Sequence, residues 1–124
     1  MSLNELAEKI RLSNVARGFH PPEGEETNLD RNLMMIVGEL SEAQEELRAG
    51  FTFDQIYFRH DNGSVHSTQS KEWNKPEGFS IELADSLIRT LGLMAELGLD
   101  IDLVVHMKME YNNTRSYKHG NKAF

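Results

Sequence analysis

Apolar residues recur at helical spacing in four stretches of the chain. Leu3, Leu6, Ala7, Ile10 and Val15 follow Ser2, which with Glu5 three residues on makes a capping box. Gly18, reinforced by Pro21-Pro22, stops this first helix, and Pro21 to Glu26 reads as an acidic loop. Thr27 or Asn28 caps a second helix carrying Leu33, Ile36, Val37, Leu40, Ala43 and Leu47, and Gly50 ends it. A third helix runs from near Ser80 to Leu97, where Gly98-Leu99 suits a left-handed cap. Asp100 caps a fourth that runs to about Arg115, and the tail Ser116 to Phe124 is basic and contains glycine.

Phe51 to Gly78 breaks this rhythm. Asp61-Asn62-Gly63-Ser64 is a tight-turn pattern between Gln55-Ile56-Tyr57-Phe58 and Val65-His66. The segment reads as a short β-hairpin or a flexible arm, and a connection this long is usually functional or disordered. Four helices, a short third connection and one long excursion predict an all-α, four-helix-bundle-type fold. Its long arm lies between helices 2 and 3, and one domain covers residues 1–124.

Composition narrows the function classes. With 39% apolar and 27% charged residues, the 124-residue chain is expected to fold rather than stay disordered. Helical chains of this length often gain stability by oligomerising. A net charge of −7 argues against nucleic acid or an anionic membrane as a partner. One small polyanion stays open, because metal ions or a local basic cluster can invert the field at a site. The absence of cysteine excludes disulfide scaffolds, cysteine–zinc sites and thiol chemistry. Met1 to Glu5 lacks the pattern of a secretory signal, and no apolar run approaches the roughly 20 residues that span a bilayer. A cytoplasmic protein is expected.

The chemistry concentrates in two acidic i,i+3 pairs. Glu39 and Glu42 share one face of helix 2, and Glu82 and Asp85 share one face of helix 3. If these helices pack antiparallel, four carboxylates converge, and four such anions cannot all stay ionised in a cleft without cations. Oxygen-only ligands suit Mg²⁺, with Mn²⁺ as a substitute. Spacing alone favours a solvated exterior instead. Glu42 lies nearly opposite the aliphatic stripe of helix 2, and Glu82 and Asp85 lie away from the Ala84–Leu87–Leu91 stripe of helix 3. Asp85 could simply pair with Arg89 one turn on. A functional reading therefore requires these faces to turn into a cleft or a subunit interface.

Helix 4 shifts the balance. Ile101, Val104 and Val105 define its buried face, and Lys108, Asn112 and Arg115 continue the same face. Asp102, His106, Met109 and Asn113 are placed on the solvated side. Inward Lys, Asn and Arg require anionic partners, either the carboxylates themselves or phosphates. Tyr117, Lys118, His119 and Lys122 add positive charge in the tail.

Glu39-x-x-Glu42, Glu82-x-x-Asp85 and the run from Lys108 through Asn112, Arg115, Tyr117 and His119-Gly120 to Lys122 together resemble the MazG-like, all-α nucleoside triphosphate pyrophosphohydrolases. Lys75-Pro76-Glu77-Gly78 also looks typical of small members. The resemblance spans about Leu3 to Phe124. It implies a helical bundle working as a homodimer or homotetramer. The implied reaction is Mg²⁺-dependent hydrolysis of nucleoside triphosphates between the α- and β-phosphates, giving monophosphate and pyrophosphate. By that resemblance Glu39, Glu42, Glu82 and Asp85 are catalytic metal ligands. Lys108, Asn112, Arg115, Tyr117, Lys118, Lys122 and Arg89 hold phosphates. Many relatives carry an acid where this chain has Gly38, so a general base must be sought in Glu42, in Glu46 or in the metal's own activation of water.

Three other readings compete. A phosphoribosyl-ATP pyrophosphohydrolase shares the chemistry. A carboxylate-bridged di-iron protein would carry Glu-x-x-His, which neither motif has. A non-catalytic helical interaction module is disfavoured by the stripe on helix 4. Trp73, Phe51, Phe53, Tyr57 and Phe19 are read as core or loop anchors before base-stacking groups. Asn14 and His20 gain no firm role, and His60, Asp61 and His66 are read as a surface loop before a metal site.

Overall fold

The sequence folds, in a computed structural model, into four helices and a small sheet, and the structure describes residues 1–19, 21 and 25–115. In chain order these are α1 (Leu3–Ala16), α2 (Leu29–Arg48), β1 (Tyr57–Arg59), β2 (Val65–His66), β3 (Lys75–Glu77), α3 (Phe79–Glu96) and α4 (Ile101–Asn113). No described helix is long and apolar enough to cross a membrane. Two compact units divide the chain: Met1–Glu23 with Leu91–Phe124, and Gly24–Thr90.

Caps set the helix boundaries. Ser2 Oγ accepts from Glu5 N at 3.0 Å, Asn28 Oδ1 from Arg31 N at 3.0 Å, and Asp100 Oδ1 from Leu103 N at 3.3 Å. Each satisfies an amide that the first helical turn leaves without a partner. At the end of α3, Gly98 takes φ +70, and Leu99 N and Gly98 N donate back to Met94 O and Ala95 O, both at 3.0 Å. This is a Schellman closure.

In the first unit, Ala7, Leu91 and Ile101 form the buried core, with Leu3, Leu6, Ile10, Met94, Ala95 and Val105 around them. Gly92 lets α1 approach α3, since a Cβ there would sit 3.2 Å from Ile10 Cγ2 and 3.3 Å from Asn14 Nδ2. Asp102 was expected on the solvated side of α4. It is instead half-buried, and its two carboxylate oxygens accept from Leu3 N (3.0 Å) and Asn4 N (3.2 Å). Asn4 answers by accepting from Ile101 N at 2.8 Å, so the starts of α1 and α4 cap each other. Replacing Asp102 with Ala is expected to cost about 0.5–2 kcal/mol in equilibrium denaturation, with no change in helix content at low denaturant.

The second unit holds α2, the sheet and the first part of α3. The expected hairpin is present: β1 and β2 pair antiparallel, with Phe58 opposite His66 and Arg59 opposite Val65. Gly63 turns the chain at φ +83. A purely helical fold was expected beyond this hairpin, and there the structure differs, because β3 completes a three-stranded antiparallel sheet in the order β2-β1-β3. Pro76 lies opposite Phe58 on the outer strand, where a missing N–H need not cost a ladder bond. Gly78, at φ +136, ends β3 against the Gln55 carbonyl, which occupies the space a Cβ would need. Its own carbonyl accepts from Glu82 N at 3.0 Å, which starts α3.

The burial of α2 departs from the expected pattern, of whose apolar residues only Ala43 is buried and Ile36 half-buried. Leu33, Val37, Leu40 and Leu47 are about half exposed, whereas Glu39 and Ala43 are buried. The face that packs is the acidic one.

Candidate metal centre

Glu39, Glu42, Ala43 and Glu46 occupy about 100° of the α2 surface. This face meets the start of α3 within the same unit. One carboxylate oxygen from each of Glu39, Glu42 and Glu82 lies within 4.8 Å of the other two. Glu39 is 9% exposed and Glu82 6%, while Glu42 is exposed at the rim. Glu39 also bonds Arg89, two turns beyond Glu82 on α3.

The charges are unequal. Burial pushes Glu39 up, but the Arg89 guanidinium, with Nε donating to Oε1 at 2.7 Å, and hydrogen bonds shared with Glu82 and Glu42 hold it below its ordinary value. Glu82 has no such cation among the described residues. Burial, then hydrogen bonding and charge from Glu42, then Glu39 and the charge of Asp85 push it up to about 7. The Oε2 atom of Glu82 is buried and has no hydrogen-bond partner among the described residues. An orphaned carboxylate oxygen inside a cluster of carboxylates is costly unless it keeps a proton or meets a cation. The donor set is all oxygen and carries the charge that a hard divalent cation needs. On both counts the residues present fit Mg²⁺.

The other expected site residues fall in different places. Asp85 is half-buried and acts on Glu82 by charge, but it is not among the three converging carboxylates. Arg89 pairs with Glu39 rather than with Asp85, and its side chain remains 41% exposed. Lys108, Asn112 and Arg115 were expected to point inward, and that expectation is corrected, because all three are exposed in this chain. The buried stripe of α4 stops early: Ile101 is buried, Val105 half-buried and Val104 already exposed. Lys108 and Arg115 instead lie over the Tyr111 ring, at 5.0 and 5.7 Å from its centre. Tyr117, Lys118, His119 and Lys122 lie outside the described residues.

Glu46 was one candidate base. Both of its oxygens accept from the Tyr57 hydroxyl, at 2.8 and 2.7 Å. Burial, followed by the Glu46 carboxylate, raises the Tyr57 phenol well above its ordinary range, so it stays a donor. Glu46 is thus engaged in holding the arm, and Glu42 is the exposed carboxylate of the cluster. In the arm, Asp61 accepts from Trp73 Nε1 at 2.8 Å and Lys71 Nζ at 3.1 Å, while the His60 and His66 rings stack at 4.1 Å. The three-carboxylate group on α2 and α3 is the one such cluster among the described residues, and the arm histidines are not part of it.

Against known proteins, the chain matches no family model, no curated sequence and no solved structure.

Proposed function

We propose that this chain is a MazG-like hydrolase that cleaves nucleoside triphosphates between the α- and β-phosphates with Mg²⁺ bound at Glu39, Glu42 and Glu82. The observation that carries the reading is the buried Glu82 carboxylate, pressed against two other carboxylates with one oxygen unpartnered. A merely solvated acidic face would leave these groups apart and wet. The bound cation would neutralise phosphate charge and make water a better nucleophile. Arg89 fixes Glu39, and only its Nε is used in that bond. Glu42, open to solvent, orients the attacking water and accepts its proton. Asp85 joins as a further acidic group on α3.

The reading includes assembly of a helical bundle from two or four copies. The apolar stripe of α2, with Leu33, Val37 and Leu40 facing outward, supports it, because an exposed aliphatic stripe of this kind marks an association surface. Sedimentation of the wild-type chain is expected to give a dimer or tetramer, and Val37→Glu with Leu40→Glu a monomer.

The test is incubation of the full chain with Mg²⁺ and a panel of ribo- and deoxyribonucleoside triphosphates plus phosphoribosyl-ATP. Monophosphate and pyrophosphate are the expected products. Absence of turnover on every substrate would leave the helical interaction module as the better account.

A further inference from the structure

The arm carries an open cleft of about 270 Å³ lined by Phe51, Gln55, Ile56, Tyr57, Val65, His66 and Ser67, of which only Phe51 and Tyr57 are half-buried. Its walls are chemically divided. Phe51 and Tyr57 stack with ring centres 4.5 Å apart, and Ile56 and Val65 add aliphatic surface. Gln55, His66 and Ser67 bring an amide, an imidazole and a hydroxyl. Flat apolar faces with polar groups at the edge describe the ligand that such a lining takes, a planar heteroaromatic ring.

Two tethers fix this cleft beside the carboxylates. Tyr57 donates to Glu46, one helical turn beyond Glu42 on α2. The Gln55 carbonyl packs on Gly78, one turn before Glu82 on α3, at a position where any side chain would collide with it. Four residues correspond to about 6 Å along each helix axis. Both acidic helices therefore deliver the arm about one turn from the cluster, a gap that a sugar and α-phosphate bridge.

We infer that the open cleft lined by the stacked Phe51–Tyr57 pair and Val65 receives the base of the nucleotide whose phosphates meet the Glu39–Glu42–Glu82 cluster. This rests on the proposed nucleotide hydrolysis and adds the element that reads the substrate. Discrimination among bases then resides in the arm, through Gln55, His66 and Ser67.

The test separates the base from the phosphates. Nucleoside monophosphates and ribose 5-phosphate are titrated, without metal, into isotope-labelled full-length protein, and backbone amide shifts are followed. Amides of residues 55–57 and 65–67 are expected to move with the monophosphates and to stay still with ribose 5-phosphate. Val65→Trp and Ser67→Phe, both at exposed positions, fill the cleft and should weaken monophosphate binding roughly tenfold or more. Their affinity for Mg²⁺ alone, by calorimetry, should match the wild type. Shifts confined to other residues, equal response to ribose 5-phosphate, unchanged affinity in a folded filled variant, or no monophosphate binding at millimolar concentration would each overturn the inference. Failure of hydrolysis with intact base binding would overturn the proposed reaction and leave the pocket standing.

Discussion

Single replacements Glu39→Gln, Glu42→Gln and Glu82→Gln are each expected to lower Mg²⁺-dependent release of pyrophosphate by about a thousandfold. Each removes one of three carboxylates whose oxygens lie within 4.8 Å of one another. Charge stabilisation by a bound divalent ion is worth several kcal/mol in the transition state, which corresponds to this range. Glu39→Gln carries a second consequence, because it leaves the exposed Arg89 guanidinium without the anion it pairs with. Arg89→Ala should therefore fall short of the full loss, since it misplaces Glu39 without deleting a ligand. Asp85→Asn, outside the close triplet, is expected to act more weakly than Glu82→Gln. Initial rates over a range of Mg²⁺ concentrations check all five variants. A wild-type rate in Glu82→Gln would remove the cluster from the mechanism.

The second large effect is a pH dependence of stability in the metal-free protein. Glu82 titrates near 7 in the fold and at about 4.5 when unfolded. Between these values the native state binds the proton and the unfolded state does not. The contribution of this group is therefore fully present below about pH 4.5 and is lost as pH rises through about 7. A shift of this size amounts to about 3 kcal/mol. Glu39 runs the other way, since its lowered value favours the fold at higher pH. The Glu82 contribution is isolated by comparison with Glu82→Gln in chelator. Denaturant curves should show the wild type losing stability relative to that variant between pH 5 and pH 8. Adding Mg²⁺ at pH 8 should restore the wild type and leave the variant nearly unchanged, and Mg²⁺ binding near pH 6 should release a proton.

Local chemistry made the helices legible. Ser2, Asn28 and Asp100 accept the amides that their positions assign to them, and Gly98 closes α3. The turn at Asp61-Asn62-Gly63-Ser64 was equally local. What depends on distant partners was not legible. Strand β3 contains Pro76, which argues against a strand until β1 is known to pair with it on one side. Asp102 reads as solvated on the α4 wheel, and its partners lie at the other end of the chain.

The acidic pairs were visible as pairs, but their burial was not. Hydropathy assigns the core face of α2 to Leu33, Ile36, Val37, Leu40, Ala43 and Leu47, but of these only Ala43 is buried and Ile36 half-buried, and the face that packs also carries Glu39. A carboxylate cluster is buried against the ordinary preference of carboxylates, so composition alone points the helix the wrong way. The stripe on α4 failed for the opposite reason. Its direction continues the core face, but the core ends near Val105, and Lys108, Asn112 and Arg115 run out beyond it. Tyr57–Glu46, which fastens the arm to the acidic face, joins residues on different elements, so no periodicity within one element signals it.

Product identity tests the central claim most directly. The full chain is incubated with Mg²⁺ and a nucleoside triphosphate, and the products are followed by phosphorus NMR. The proposed reaction predicts nucleoside monophosphate and pyrophosphate in equal amounts, abolished by chelator and by Glu82→Gln. Diphosphate with orthophosphate, or turnover that survives both treatments, would contradict it.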